Sequence, residues 1–243
     1  MKNLHFLNLM IIPMLILSQT ACVANDGKRE TIERNYSVSA FNAIKSEVVG
    51  NIEVVQTSGN TVSVIGDKEL VENLTVKVED DKLKLSMKKE LRNFKWKGKS
   101  SKLTIYVSAP DLVLIESEGV GNIRLNGDIA VASIKINSEG VGNISSQNLT
   151  AEHVEIDSEG VGNITLKGST SNLVIKSDGV GNIKTDEMTA QHAKVKSDGI
   201  GNVSCHASES IDIETDGIGN VSYYGNPKTK NIREDGIGKV RAK

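Results

Sequence analysis

The sequence predicts an all-β chain wound as a parallel β-solenoid with about 20 residues per rung, and three observations carry that prediction. A unit S-[ED]-G-[VI]-G-N-[IV] recurs along the second half of the chain. Each copy is preceded by β-branched residues in period-two alternation, the pattern of a strand with one buried side. Composition agrees: aromatic residues are 3% of the chain, prolines number three and glycines 22, so there are few large side chains with which to fill a wide globular core.

Residues 1–24 read as a signal peptide and are set aside from the fold. Lys2 and His5 precede an apolar run from Phe6 to Leu17, shorter than the roughly 20 residues a membrane-spanning helix needs. Cys22 follows Ala21, where a lipoprotein signal peptidase would leave a cysteine for diacylglyceryl attachment, although Gln19 stands where such sites carry an aliphatic residue. Cleavage after Ala24 and release of a soluble chain is the alternative. Residues 25–35 are polar and are expected to form a tether.

Residues 36–110 are expected to form irregular β-rungs and hairpins that close one end of the column. Ser46 to Ile52 is a degenerate copy of the unit in which Val48 replaces the first glycine. Strand-like runs follow at Thr61 to Ile65, Leu74 to Val78, Leu83 to Met87 and Leu103 to Val107, and Asp80-Asp81 reads as a hairpin turn.

Residues 111–243 hold the regular repeats. The first glycine of the unit falls at Gly119, Gly140, Gly160, Gly179, Gly199, Gly217 and Gly236, in steps of 21, 20, 19, 20, 18 and 19 residues. The second falls at Gly121, Gly142, Gly162, Gly181, Gly201, Gly219 and Gly238. An asparagine ladder follows at Asn122, Asn143, Asn163, Asn182, Asn202 and Asn220. Four places before the first glycine stand Ile115, Ile136, Ile156, Ile175, Val195, Ile213 and Ile232; six before stand Val113, Ile134, Val154, Leu173, Ala193 and Ile211, then Lys230 in the last copy. Each unit is therefore expected to give two short strands joined by a glycine bend, then a variable return. One rung cannot fold alone: about four buried aliphatic side chains contribute about 6–12 kcal/mol against roughly 20–40 kcal/mol for ordering 20 backbones. Stacking is what makes the array stable.

Several residues invite chemistry. The acids Glu118, Glu139, Glu159, Asp178, Asp198, Asp216 and Asp235 suggest a cation ladder, but the shorter calcium-roll pattern is absent and a solvated acidic edge is the preferred reading, so no metal site is assigned. Serines such as Ser138 and Ser158 recur in every rung without an attendant histidine, which argues against a nucleophile. His153 and His192 are expected two rungs apart, too far to share an ion. The pattern breaks at Lys88 to Lys102, where Arg92, Phe94, Lys95, Trp96 and Lys97 interleave cations with aromatics and form the candidate contact for an anionic glycan; the plain alternative is a lysine-rich hairpin tip.

Tyr36 to Ile44, the repeated Gly-Asn-Ile cores such as Gly121-Asn122-Ile123, and Tyr223-Tyr224-Gly225-Asn226-Pro227 together make the chain resemble the head GIN domain family of auto-transporter adhesins. The resemblance implies a single-stranded parallel β-helix, right-handed, in an exported protein of the bacterial envelope, and no catalytic residue. The expected function is a non-catalytic, envelope-anchored binding or structural module with an anionic glycan, a matrix component or another envelope protein as partner, and the membrane too if Cys22 is lipidated. The net charge of −2 gives no argument for nucleic acid, and no cofactor is implied. Alternatives are a polysaccharide lyase or hydrolase on a β-helix, and a self-assembling envelope subunit.

Overall fold

A computed structural model describes residues 30–88 and 102–243. It is a parallel β-solenoid of about six turns with about 20 residues per rung. From Ile123 onward the column is built from five long strands, β9 (Ile123–Ser138), β10 (Ile144–Ser158), β11 (Ile164–Ser177), β12 (Ile183–Ser197) and β13 (Val203–Thr215). Each runs from one glycine bend through the return corner to the next, where two short strands and an irregular return were expected. The returns differ by only a few residues in length, so they pair with their neighbours, and bulges such as that between Ser146 and Leu149 absorb the difference. The rung after β13 is made by β14 (Val221–Tyr224) and β15 (Thr229–Glu234), and β16 (Val240–Ala242) begins a further one by stacking on β14.

The N-terminal half does not follow chain order in space. β2 (Ala43–Glu47), the Val48–Gly50 bend and β3 (Asn51–Gln56) form a complete rung, on which β8 (Leu114–Ser117) and β9 stack. Beneath that rung lie β6 (Lys82–Met87), parallel to β2, and β7 (Leu103–Ala109), parallel to β3, so a later part of the chain forms the earlier rung. The end is then closed by antiparallel strands: β4 (Thr61–Asp67) on β7, β1 (Thr31–Tyr36) on β4, and β5 (Leu74–Glu79) on β6. Asp80 and Asp81 have φ of 53° and 57°, the paired left-handed conformation of a tight two-residue hairpin, as their sequence suggests.

Three local readings need correction. Residues 31–35, expected in the tether, are the first five positions of β1, held by an antiparallel register from Thr31↔Asp67 to Tyr36↔Val62. A short helix, α1 (Lys68–Asn73), stands between β4 and β5 and buries Leu70 and Val71 under the column. Val113 is exposed although its counterparts from Ile134 to Ile211 are buried, because the short link after β7 lets Leu112 fill the core instead. Through β14 the alternation otherwise holds, and Leu125, Ser146, Leu166, Thr185, Cys205 and Tyr223 all point into one continuous core. In the last copy Ile232 is 39% exposed, because among the described residues β15 pairs only with β13 and every one of its positions is open to solvent.

Candidate functional site

The bends stack into one face of the column, and its geometry follows from how closely the rungs approach there. Each serine before a bend accepts two backbone N–H groups from the next rung; Ser138 O takes those of Glu159 and Gly160 at 2.8 and 2.7 Å. That close approach leaves no room for a side chain on the first glycine, since a Cβ at Gly160 would collide with the carbonyl of Gly140. The second glycine has a further reason: Gly162 sits at φ +155°, where a Cβ is disfavoured whatever the space.

Between the two glycines the β-branched residue points outward. Val49, Val120, Val141, Val161, Val180, Ile200, Ile218 and Ile237 are joined by seven consecutive parallel bridges and are 40–73% exposed, an aliphatic ladder along the described column. The sequence contains the signal for it: inward parity at Ile115, Ser117 and Gly119 places Val120 outward.

Polar ladders flank this stripe. On one side each asparagine Oδ1 accepts both the backbone N–H and the Nδ2 of the next, from Asn51 through Asn220. On the other side stand the exposed acids from Glu118 to Asp235. Glu118 bonds Lys45 at 2.6 Å and Asp198 bonds Lys196 at 2.7 Å, and in each case the carboxylate holds the ammonium pKa above its ordinary value. Among the described residues no group of three or more His, Cys, Asp or Glu is placed to hold a metal ion. His153 and His192 are two rungs apart with Asn172 between them, and His192 Nδ1 lies 2.8 Å from Ser210 Oγ.

Arg92, Phe94, Lys95, Trp96 and Lys97 lie outside the described residues, as does Cys22. Their segment nevertheless has defined ends. Chain leaves β6 at Lys88, whose N–H donates to Asn73 O, and re-enters at Lys102, whose carbonyl accepts from Asp67 N–H. The described strands on either side, β6 and β7, lie beneath β2 and β3 of the rung above.

No curated protein sequence matches this chain. A solved structure of a "putative adhesin" from Bacteroides fragilis is similar at 33% identity, with a TM-score of 0.83, over 89% of this chain and 98% of that one. A "putative lipid binding protein" and a "putative adhesin", both from Parabacteroides distasonis, share the fold at 21% and 22% identity with TM-scores of 0.61 and 0.60, covering 87% and 88% of this chain and 96% and 98% of theirs. Residues 40–227 match the family described as "putative auto-transporter adhesin, head GIN domain". With its stacked Gly-x-Gly-Asn bends and that match over most of its length, the chain belongs to the head GIN domain family.

Proposed function

We propose that this chain is an exported, non-catalytic adhesion-type module of the bacterial envelope that holds an extended partner along its bend face. The aliphatic ladder is the observation that carries the reading. Contiguous exposed apolar surface on a folded domain marks interaction sites more often than chance exposure does. β-branched residues suit the extended backbone here, yet threonine would supply the same stiffness with a polar outer face, and none of the eight positions has it. The flanking amide and carboxylate ladders add hydrogen-bonding groups at the same rung spacing, which suits a partner that is itself extended.

Arg92, Phe94, Lys95, Trp96 and Lys97 would add cationic and aromatic contacts, suited to an anionic glycan, a matrix component or another envelope protein. A lipid on Cys22 would tether the module to a membrane. This reading is favoured over a lyase or hydrolase because the prominent polar groups of the bend face recur in every rung, whereas catalysis needs a singular convergence.

The test is an array of envelope glycans and matrix components probed with the chain and with a variant carrying Val141→Thr, Val161→Thr and Val180→Thr. Thr keeps the branched shape, so the fold should persist while retention falls about tenfold or more. Unchanged retention by the triple variant, or silence of the wild type across the array, sinks the bend-face reading.

A further inference from the structure

On the strand face next to the bends, residues from four strands, β3, β4, β7 and β9, meet around one hollow. Tyr106 on β7 is 45% exposed and is the most exposed aromatic ring among the described residues. It pairs with Glu53 on β3 to one side and Ser63 on β4 to the other. Glu53 is held rather than free: Oε2 accepts from Asn126 Nδ2 at 2.8 Å and Oε1 from Arg124 at 3.2 Å, and its side chain is only 19% exposed. The hollow of about 340 Å³ is bounded by Glu53, Tyr106, Asn126, Val55, Ser63 and Thr61.

We propose that this hollow is a binding subsite for one neutral pyranose unit of a polysaccharide, stacked on Tyr106, with hydroxyls donating to the Glu53 carboxylate. A sugar ring has an apolar C–H face and an equatorial fringe of hydroxyls, and an aromatic ring beside fixed planar polar groups matches both. Each carboxylate oxygen of Glu53 has one protein donor and retains acceptor capacity for a sugar hydroxyl, a charge-assisted bond. Asn126 and Arg124 orient that carboxylate so that it need not reorganise on binding. The same Arg124–Glu53 pairing disfavours an acidic sugar, whose carboxylate would meet Glu53 and find the guanidinium already engaged. Over the later rungs the corresponding row carries Ser145, Thr165, Lys184, Ser204 and Ser222, with no ring to stack on, so the hollow is a feature of the N-terminal end.

The subsite does not depend on the bend-face reading, because no ladder valine or isoleucine borders the hollow. Saturation-transfer NMR of the chain with methyl glycosides of galactose, mannose, glucose and N-acetylglucosamine, and with methyl glucuronide, tests it. At least one neutral glycoside should receive magnetisation, and its affinity should fall about tenfold in Tyr106→Ala and about fivefold in Glu53→Gln, with less than threefold loss in Tyr106→Phe. Tyr106→Ala changes an exposed ring and Glu53→Gln is isosteric at a half-buried carboxylate, and the melting temperature reports whether either has unfolded. No transfer to any neutral probe, equal binding by Tyr106→Ala, or tighter binding of methyl glucuronide than of every neutral glycoside overturns the proposal. Binding that survives Val161→Thr but not Tyr106→Ala separates it from the bend-face reading.

Discussion

Asn143 donates both its backbone N–H and its Nδ2 to a single atom, Oδ1 of Asn122, at 3.1 and 2.9 Å. Repeated from rung to rung, this double donation fixes the register of each bend on the one beneath. An interior asparagine therefore serves more partners than a terminal one. Asn163→Ala would remove the Nδ2 bond to Asn143 and the acceptor for both donors of Asn182, while Asn220→Ala would remove two longer bonds, to Asn202 and from Lys239, at 3.3 Å each. These groups reach water, so Asn163→Ala should cost about 1 kcal/mol and Asn220→Ala less than half of that, as read by urea denaturation.

Val48 occupies the first-glycine position of the lowest complete bend and is 1% exposed. It can carry a side chain because, among the described residues, no bend stacks beneath it, whereas a Cβ on Gly119 would strike the carbonyl of Val48 itself. Restoring the repeat consensus with Val48→Gly should thus destabilise, by about 2–4 kcal/mol, through loss of a buried side chain. Gly162→Ala should cost about 3 kcal/mol or more, from its positive φ and its collision with Gly142, while Gly59→Ala, with open space around it, should be nearly neutral. Thermal unfolding of the three variants checks the order.

The rungs are legible in the chain because every bend must clear the one below, which forces the same two glycines at each turn. Column order is not legible. Leu83 and Leu85 alternate as a strand should, but nothing in that alternation says that β6 pairs with β2 across forty residues of chain. Thr31 to Asn35 look like linker because Ile32 is the one apolar residue among them, enough for an edge strand to pack that side chain on the core but too little to show alternation. Tyr106, Glu53, Arg124 and Asn126 come from three strands whose adjacency depends on the inverted rung order, so no spacing rule could have joined them.

Lys230 pairs with buried Ile211 and takes the place that carries an apolar residue in the earlier rungs. Its Nζ lies 5.9 Å from the Tyr223 ring centroid, so its stem covers the end of the column while the charge stays in water. A cation on a terminal strand discourages further stacking. Lys230→Ile should increase concentration-dependent self-association in light scattering at low salt. A variant that stays as monodisperse as the wild type would show that Lys230 does not guard this end.

Ser146 Oγ is buried with no hydrogen-bond partner, stacked between Leu125 below and Leu166 above. Thr185, two rungs above Ser146 in the same column, donates its hydroxyl to Ser204 O at 2.9 Å. An unpaired buried hydroxyl costs roughly 1–3 kcal/mol, so Ser146→Val should raise the melting temperature by relieving that cost and adding apolar contact. Thr185→Val removes a satisfied bond and should not stabilise. A lower melting temperature for Ser146→Val would mean that the added methyls do not fit between the two leucines.

Cys205 is fully buried, and burial first, then the nearby Asp186 carboxylate, pushes its thiol up to about 12. In the unfolded chain the same thiol ionises near 8.5. A folded pKa above the unfolded one means that stability is fully present below about pH 8.5 and is lost as pH rises toward 12, since only the unfolded state gains by releasing the proton. By pH 10 this amounts to about 2 kcal/mol, at 1.36 kcal/mol per pH unit. Cys205→Ala lacks the titrating group, so although it starts less stable because of its cavity, its deficit against the wild type should shrink by about 2 kcal/mol between pH 8 and pH 10. Parallel pH curves for the two proteins in urea denaturation would show that the thiol is less isolated than its burial requires, and alkylation of native Cys205 by iodoacetamide at pH 8 would show the same independently.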